Sequence, residues 1–197
     1  MMKEVSIYIL AGGQSTRMQH DKGSLPWSES NLLASMVSEF QSLANEVVVL
    51  SGNEQHQNPA WISIPDVYPI CGPVGAIDAA LHHATSPYIV LCAVDMPWLN
   101  AEGIEALCQV ELDAGVLGFS LLEKAQLFPL RLHTRLAPLW RAKLLAGERK
   151  LQTMLNHFTP TFVPGDFLLT RSPRFFFNIN TPEAYQEALL WQQTNLK

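Results

Sequence analysis

At 197 residues, 48% hydrophobic and 16% charged, the chain is long enough to bury one sizeable core and too apolar to be disordered. Its formal net charge of −5 excludes a broadly basic nucleic-acid surface while leaving room for a local positive site. The three cysteines, Cys71, Cys92 and Cys108, have neither metal-ligand spacing nor the even count of a disulfide framework. No basic-then-apolar leader opens the chain and no apolar run reaches membrane-span length. A cytoplasmic protein is expected, with neither nucleic acid nor membrane as partner.

Residues 5–10 run apolar without a turn residue and read as a buried strand. The run ends in Ala11-Gly12-Gly13, and a polar loop follows that carries Arg17 and then Asp21-Lys22. Glycines let the backbone lie flat against a ligand, and successive backbone N–H groups in such a loop form an anion-binding concavity. Arg17 and Lys22 add fixed positive charge, so the parts suit a nucleoside triphosphate. A glycine pair alone is more often only a tight turn; the two cations raise the nucleotide reading above it. Neither the Walker-A pattern nor the dinucleotide G-x-G-x-x-G is present.

Residues 31–44 place Leu32, Leu33, Met36, Val37, Phe40 and Leu43 at helical intervals, with Ser28 or Ser30 as the expected cap. Val47-Val48-Val49-Leu50 is a second strand, so a parallel βαβ unit is expected with a right-handed crossover. A weak strand over 61–65 leads to Asp66, which as a bare residue is a ligand group or a turn former. Gly72-Pro73 makes a rigid turn, and a helix over 74–83 presents free N–H groups and a positive dipole end. Residues 88–94 form the cleanest buried strand and deliver Asp95 at its carboxyl end, where open α/β sheets bind ligands. An aspartate there is a hard oxygen ligand suited to Mg²⁺ with substrate phosphates; capping of the next helix is its structural alternative.

The second half predicts a helix over 100–110, strands over 115–122 and 125–132 around Glu123-Lys124, and helices over 137–145 and 151–158. Between the last two lies Gly147-Glu148-Arg149-Lys150. Arg149 and Lys150 suit an anionic acceptor, although a solvated charged turn is the commoner use of such a segment. Residues 177–180 read as a strand with Asn178 and Asn180 on one face. Thr181-Pro182-Glu183 then supplies cap, first-turn proline and dipole partner for a final helix. The histidines show no ligand spacing and receive no role. The expected fold is one α/β domain over 1–197, three-layered, with a mostly parallel, Rossmann-like central sheet.

The segment L-A-G-G-x-S-x-R-M followed by D-K, residues 10–22, resembles the signature loop of MobA-type molybdenum cofactor guanylyltransferases, within the nucleoside-triphosphate transferase superfamily. Asp66 with Gly72-Pro73-Val74-Gly75, then Asp95-Met96-Pro97-Trp98-Leu99, Gly147-Glu148-Arg149 and Asn178-Ile179-Asn180 extend the resemblance in islands over nearly the whole chain. It implies nucleotide binding by Leu10, Ala11, Gly12, Gly13, Lys22, Asp66 and Asp95, and catalysis by Arg17, Lys22 and Asp95. It implies Mg²⁺ on Asp95 with Asn180 as a second ligand, and an acceptor side built from Asn178, Asn180 and Arg149. The nucleotide-binding half is then about 1–100 and the acceptor-binding half about 101–197.

The implied reaction is GMP transfer from GTP to the terminal phosphate of molybdopterin, or of its molybdenum-loaded form, with release of pyrophosphate. Other molybdenum cofactor pathway proteins are implied partners. GTP is favoured over CTP because the guanylyl branch carries L-A-G-G where the cytidylyl branch tends to L-A-A-G. Three positions depart from the family pattern: Gln19 replaces a glycine, Leu50 replaces a nucleotide-holding asparagine with Asn53 three residues on, and Pro129 falls two places late. Two alternatives therefore stand beside this reading: a nucleotide-binding paralogue with little or no transfer activity, and a related transferase using CTP or a sugar-phosphate acceptor.

Overall fold

The computed structural model describes residues 2–12, 21–65 and 67–195. Its organising strand is the apolar run at the start, β1 (Met2–Leu10). A two-strand ribbon, β2 (Pro26–Trp27) and β3 (Ser30–Asn31), leads into α1 (Leu32–Phe40) and β4 (Ala44–Leu50). Then come β5 (Ile62–Ile64), α2 (Gly72–His83) and β6 (Tyr88–Ala93). The second half holds α3 (Ala101–Gln109), β7 (Val116–Leu121), β8 (Lys124–His133), α4 (Ala137–Leu145), α5 (Leu151–Asn156), β9 (Thr161–Pro164), α6 (Leu168–Arg171) and α7 (Pro182–Asn195).

Seven strands form one sheet in the order β5-β4-β1-β6-β8-β7-β9. The first four are mutually parallel, β8 runs antiparallel to both neighbours, and β9 is parallel to β7. Alternate side chains leave opposite faces of a strand, and here both faces are covered. Ile7, Ile9, Val47, Val49, Val90 and Cys92 pack with residues of α1 and α3. Tyr8, Val48, Leu50, Ile89 and Leu91 pack with α2, α4 and α5. Burial on both faces explains why these strands are continuously apolar, and it gives the expected three layers.

Register decides where the site lies. Leu10 is level with Leu50 of β4 and with Ala93 of β6. Three neighbouring parallel strands therefore end side by side. The chain leaving them supplies the glycine loop, Ser51 and Asp95 along one edge, the edge at which open α/β sheets bind ligands.

Two polar devices hold the helices in place, one to the sheet and one to each other. Arg131 of β8, only 5% exposed, donates to the carbonyls of Leu107, Cys108, Val110 and Leu112 at 2.9–3.2 Å. It thus satisfies the carbonyls that α3 leaves open at its end. Arg141 of α4 pairs with the fully buried Asp78 of α2, its Nη2 lying 2.7 Å from Oδ2.

Several expectations need correction. Asn31, not Ser28 or Ser30, caps α1: its Oδ1 accepts from Ala34 N–H at 2.8 Å. The hairpin turn falls on Leu122 and Glu123, both at positive φ (48° and 63°), as a two-residue connection requires. Residues 177–180 are not a strand; the Ile179 N–H donates to the Asp95 carbonyl at 2.7 Å, a single tie and not a ladder. The short edge strand β9 had no expectation. It carries Pro164, a residue that edge strands tolerate. No described helix is long and apolar enough to cross a membrane.

Candidate active site

The glycine loop begins by folding over the end of β4. The Leu50 carbonyl accepts the N–H groups of both Ala11 and Gly12 at 3.1 Å, and Val94 N–H donates to the Leu10 carbonyl at 3.1 Å. The loop base is therefore tied to β4 and to β6. These bonds occupy the first two N–H groups of the expected anion-binding concavity; the rest of it, including Gly13 and Arg17, lies outside the described residues. Asp66 lies outside them as well. Leu50, one of the three departures from the family pattern, contributes its carbonyl here, and its side chain is buried in the core. Asn53 is committed to a turn, its Oδ1 accepting from Gln55 N–H at 3.0 Å.

The chain reappears at Asp21-Lys22. The Lys22 ammonium donates to Asp95 Oδ2 at 2.8 Å and to Asn180 Oδ1 at 2.7 Å. Lys22 and Asp95 keep 16% and 19% of their side-chain surface exposed, so the pair is shielded yet reachable from solvent. Three expected site residues, drawn from opposite ends of the chain, thus meet at one point. The aspartate arrives on β6, and the asparagine arrives on the segment tied to the Asp95 carbonyl through Ile179. That segment is held from behind. The Arg174 guanidinium lies 4.8 Å from the Phe177 ring centroid and 5.5 Å from those of Trp98 and Trp191, and it pairs with Glu187 at 2.7 Å.

Two acceptor-side residues fall elsewhere in the hydrogen-bond pattern. Asn178 is exposed and donates to the Phe176 carbonyl at 2.9 Å. Arg149 donates to the carbonyls of Leu144 and Glu148 at 2.6 and 2.9 Å, which satisfies the end of α4. Neither is bonded to the Lys22 cluster.

The arrangement fits a divalent cation. Asp95 and Asn180 direct one oxygen each at a single positive group, the Lys22 ammonium, which marks the point where they hold charge. Among the described residues no group of three or more His, Cys, Asp or Glu is placed to hold a metal. A Mg²⁺ ion that shares phosphate oxygens and water needs only one or two protein ligands.

The sequence reading missed the bonds that hold Asp21, the residue before Lys22. Asp21 Oδ2 accepts from Ser24 N–H at 2.8 Å and from His56 Nε2–H at 2.7 Å. Burial alone would raise the Asp21 pKa, but the Ser24 and His56 bonds outweigh it and hold the carboxyl below its ordinary 3.8. His56 is only 2% exposed, and its Nδ1 lies 2.7 Å from Ser51 Oγ. No spacing rule links Asp21 to a histidine thirty-five positions on. The one local signal was a histidine just after a strand end.

The MobA-like NTP transferase domain profile matches residues 7–161. A molybdenum cofactor guanylyltransferase of Vibrio parahaemolyticus is 28% identical over 184 residues, spanning 91% of this chain and 92% of that protein. A probable molybdenum cofactor guanylyltransferase of Clostridium perfringens is 24% identical, covering 95% and 98%. Among solved structures, molybdopterin-guanine dinucleotide biosynthesis protein A of Archaeoglobus fulgidus superposes with a TM-score of 0.83 at 21% identity, over 96% of this chain and 99% of that one. The 2-C-methyl-D-erythritol 4-phosphate cytidylyltransferase of Thermus thermophilus gives 0.70 at 15% identity, over 96% and 99%. The sheet order, the converging Lys22–Asp95–Asn180 cluster and the matched profile lead to one assignment: the chain belongs to the MobA-like NTP transferase family and is a nucleotidyltransferase.

Proposed function

We propose that this nucleotidyltransferase moves GMP from GTP to the terminal phosphate of molybdopterin, free or molybdenum-loaded, and releases pyrophosphate. The observation that carries the reading is the convergence of Asp95 and Asn180 on the Lys22 ammonium at the carboxyl edge of the sheet, in a chain whose near-full-length relatives are named guanylyltransferases. Leu10, Ala11, Gly12, Gly13 and Asp66 are the proposed nucleotide-binding residues. Arg17 and Lys22 hold the triphosphate. Asp95, with Asn180, would hold Mg²⁺. When bound, that ion supplies Lewis-acid polarisation of the α-phosphate and offsets the charge of the departing pyrophosphate.

The remaining chemistry belongs to the chain's own groups. An oxygen of the acceptor phosphate forms the new bond to the α-phosphorus as the bond to the bridging α–β oxygen breaks, and the electron pair leaves with pyrophosphate. The attacking phosphate is already anionic near neutrality, so no strong general base is required. Positioning and charge neutralisation then supply the acceleration. Asn178 and Arg149 are proposed for the acceptor side on resemblance.

The test is pyrophosphate release from a panel of nucleoside triphosphates with Mg²⁺ and molybdopterin on a carrier protein, beside Asp95→Ala. Release with GTP and not with the other triphosphates, lowered about a hundred- to a thousandfold in the variant as expected for a group that stabilises developing charge, supports the proposal. Release with CTP, or only with a sugar phosphate, moves the chain to another branch. GTP binding without release makes it a binding paralogue.

A further inference from the structure

We propose that Ser51, His56 and Asp21 form a relay, buried at Ser51 and His56, that positions Lys22 for phosphoryl-group chemistry, with His56 as its central positioning residue. The inference deepens the transferase reading and rests on it for the role of Lys22. Side-chain hydrogen bonds run from Ser51 through His56 to Asp21, and the chain itself joins this run to Leu50 at one end and to Lys22 at the other. The Leu50 carbonyl holds the Ala11 and Gly12 N–H groups at 3.1 Å. The next residue, Ser51, accepts from Asn53 N–H at 3.1 Å and sits 2.7 Å from His56 Nδ1. The Asp21 carboxylate can only accept, so a proton sits on Nε2, and the Ser51 hydroxyl is placed to donate to Nδ1. Nε2–H then donates to Asp21 Oδ2 at 2.7 Å. The residue after Asp21 is Lys22, bonded to Asp95 and Asn180.

The relay thus joins the end of β4 to the point where the proposed metal ligands converge. Its first two members are buried, His56 at 2% and Ser51 at 7% exposed, and the Asp21 side chain keeps 26% of its surface in solvent. The ring cannot shift freely. A Cβ on Gly23 would lie 2.8 Å from His56 Nε2, so the residue beside Lys22 must be a glycine for the ring to pack there. The His56 carbonyl in turn accepts from Trp61 Nε1–H and Ser63 O–H at 3.0 and 3.1 Å. A side chain held this firmly, and bonded to the residue next to a catalytic lysine, resembles the supports that orient metal ligands from behind, whose loss costs about 10–100-fold in function.

The experiment is a double-mutant cycle between His56→Ala and Lys22→Ala, with Asp21→Asn as a milder cut in the same chain. In the otherwise native enzyme, His56→Ala should lower kcat/KM about 10–100-fold. In the Lys22→Ala background it should lower it by less than about threefold, because there is no longer a lysine to misplace. Asp21→Asn should fall on the same line if His56→Ala folds poorly. Equal losses in both backgrounds would make His56 a purely structural residue and overturn the proposal. The cycle is read a second time from Mg²⁺–nucleotide affinity by calorimetry with GTP, CTP and ATP. Coupling in affinity without pyrophosphate release would therefore sustain the relay while removing the guanylyl-transfer reading.

Discussion

Replacing Lys22 with methionine should move two measurements in opposite directions. The ammonium occupies the point on which Asp95 Oδ2 and Asn180 Oδ1 converge, at 2.8 and 2.7 Å. A divalent cation entering without nucleotide must displace it. Breaking hydrogen bonds of a charged group costs about 1.5–3 kcal/mol net, and each 1.4 kcal/mol is about tenfold in affinity. Lys22→Met keeps the length of the stem and removes the competitor, so Mn²⁺ affinity without nucleotide should rise about tenfold to a hundredfold. Turnover should fall about a hundredfold or more, because the triphosphate loses a preorganised cation. Mn²⁺ binding is read by electron paramagnetic resonance of the free ion, and turnover by pyrophosphate release. A variant that binds Mn²⁺ no better than the native protein would refute the claim that lysine and metal share these oxygens.

Other perturbations test the scaffold. Arg131→Met leaves the carbonyls at the end of α3 without their shared donor and should cost about 3 kcal/mol, seen as a drop of about 6–12 °C in the thermal midpoint; a drop below 2 °C would show that water replaces the guanidinium. Arg141→Ala leaves the fully buried Asp78 with only His82, whose Nδ1 lies 3.5 Å from Oδ1, and should cost about 3 kcal/mol, while adding Asp78→Asn should recover part of the loss in urea unfolding. Asp21 has a folded-state pKa held below its unfolded value of 3.8. Its contribution to stability is therefore full above that value and disappears as pH falls through the folded pKa. Asp21→Asn should flatten the acid limb of stability against pH below about 4 and leave the slope near neutrality unchanged; unfolding curves at stepped pH decide it.

Much of this molecule is written in local pattern. The strands at residues 5–10, 47–50 and 88–94 announced themselves because burial on both faces demands unbroken apolar runs. Asp95 was legible because such a run delivers its last residue to the carboxyl edge of the sheet. The Thr181-Pro182-Glu183 start of α7 follows from capping chemistry alone, and Thr181 Oγ1 does accept from Ala184 N–H at 3.2 Å. The segment 177–180 misled because its apolar-polar alternation is strand-like. The segment is held by one bond to Asp95 and by the Arg174 cluster, not by a neighbouring strand.

Local chemistry determined the fold class and the sheet edge to which the Asp95 strand runs, since propensity, periodicity and caps act within a few residues. Only the tertiary structure decided what touches what. It joined Lys22 to Asn180 across 158 positions and placed His56 under Asp21. It also turned Arg131 inward to close a helix and gave Arg149 to the end of α4. A side-chain hydrogen bond depends on where two backbones come to rest, and that placement is a property of the packed core as a whole.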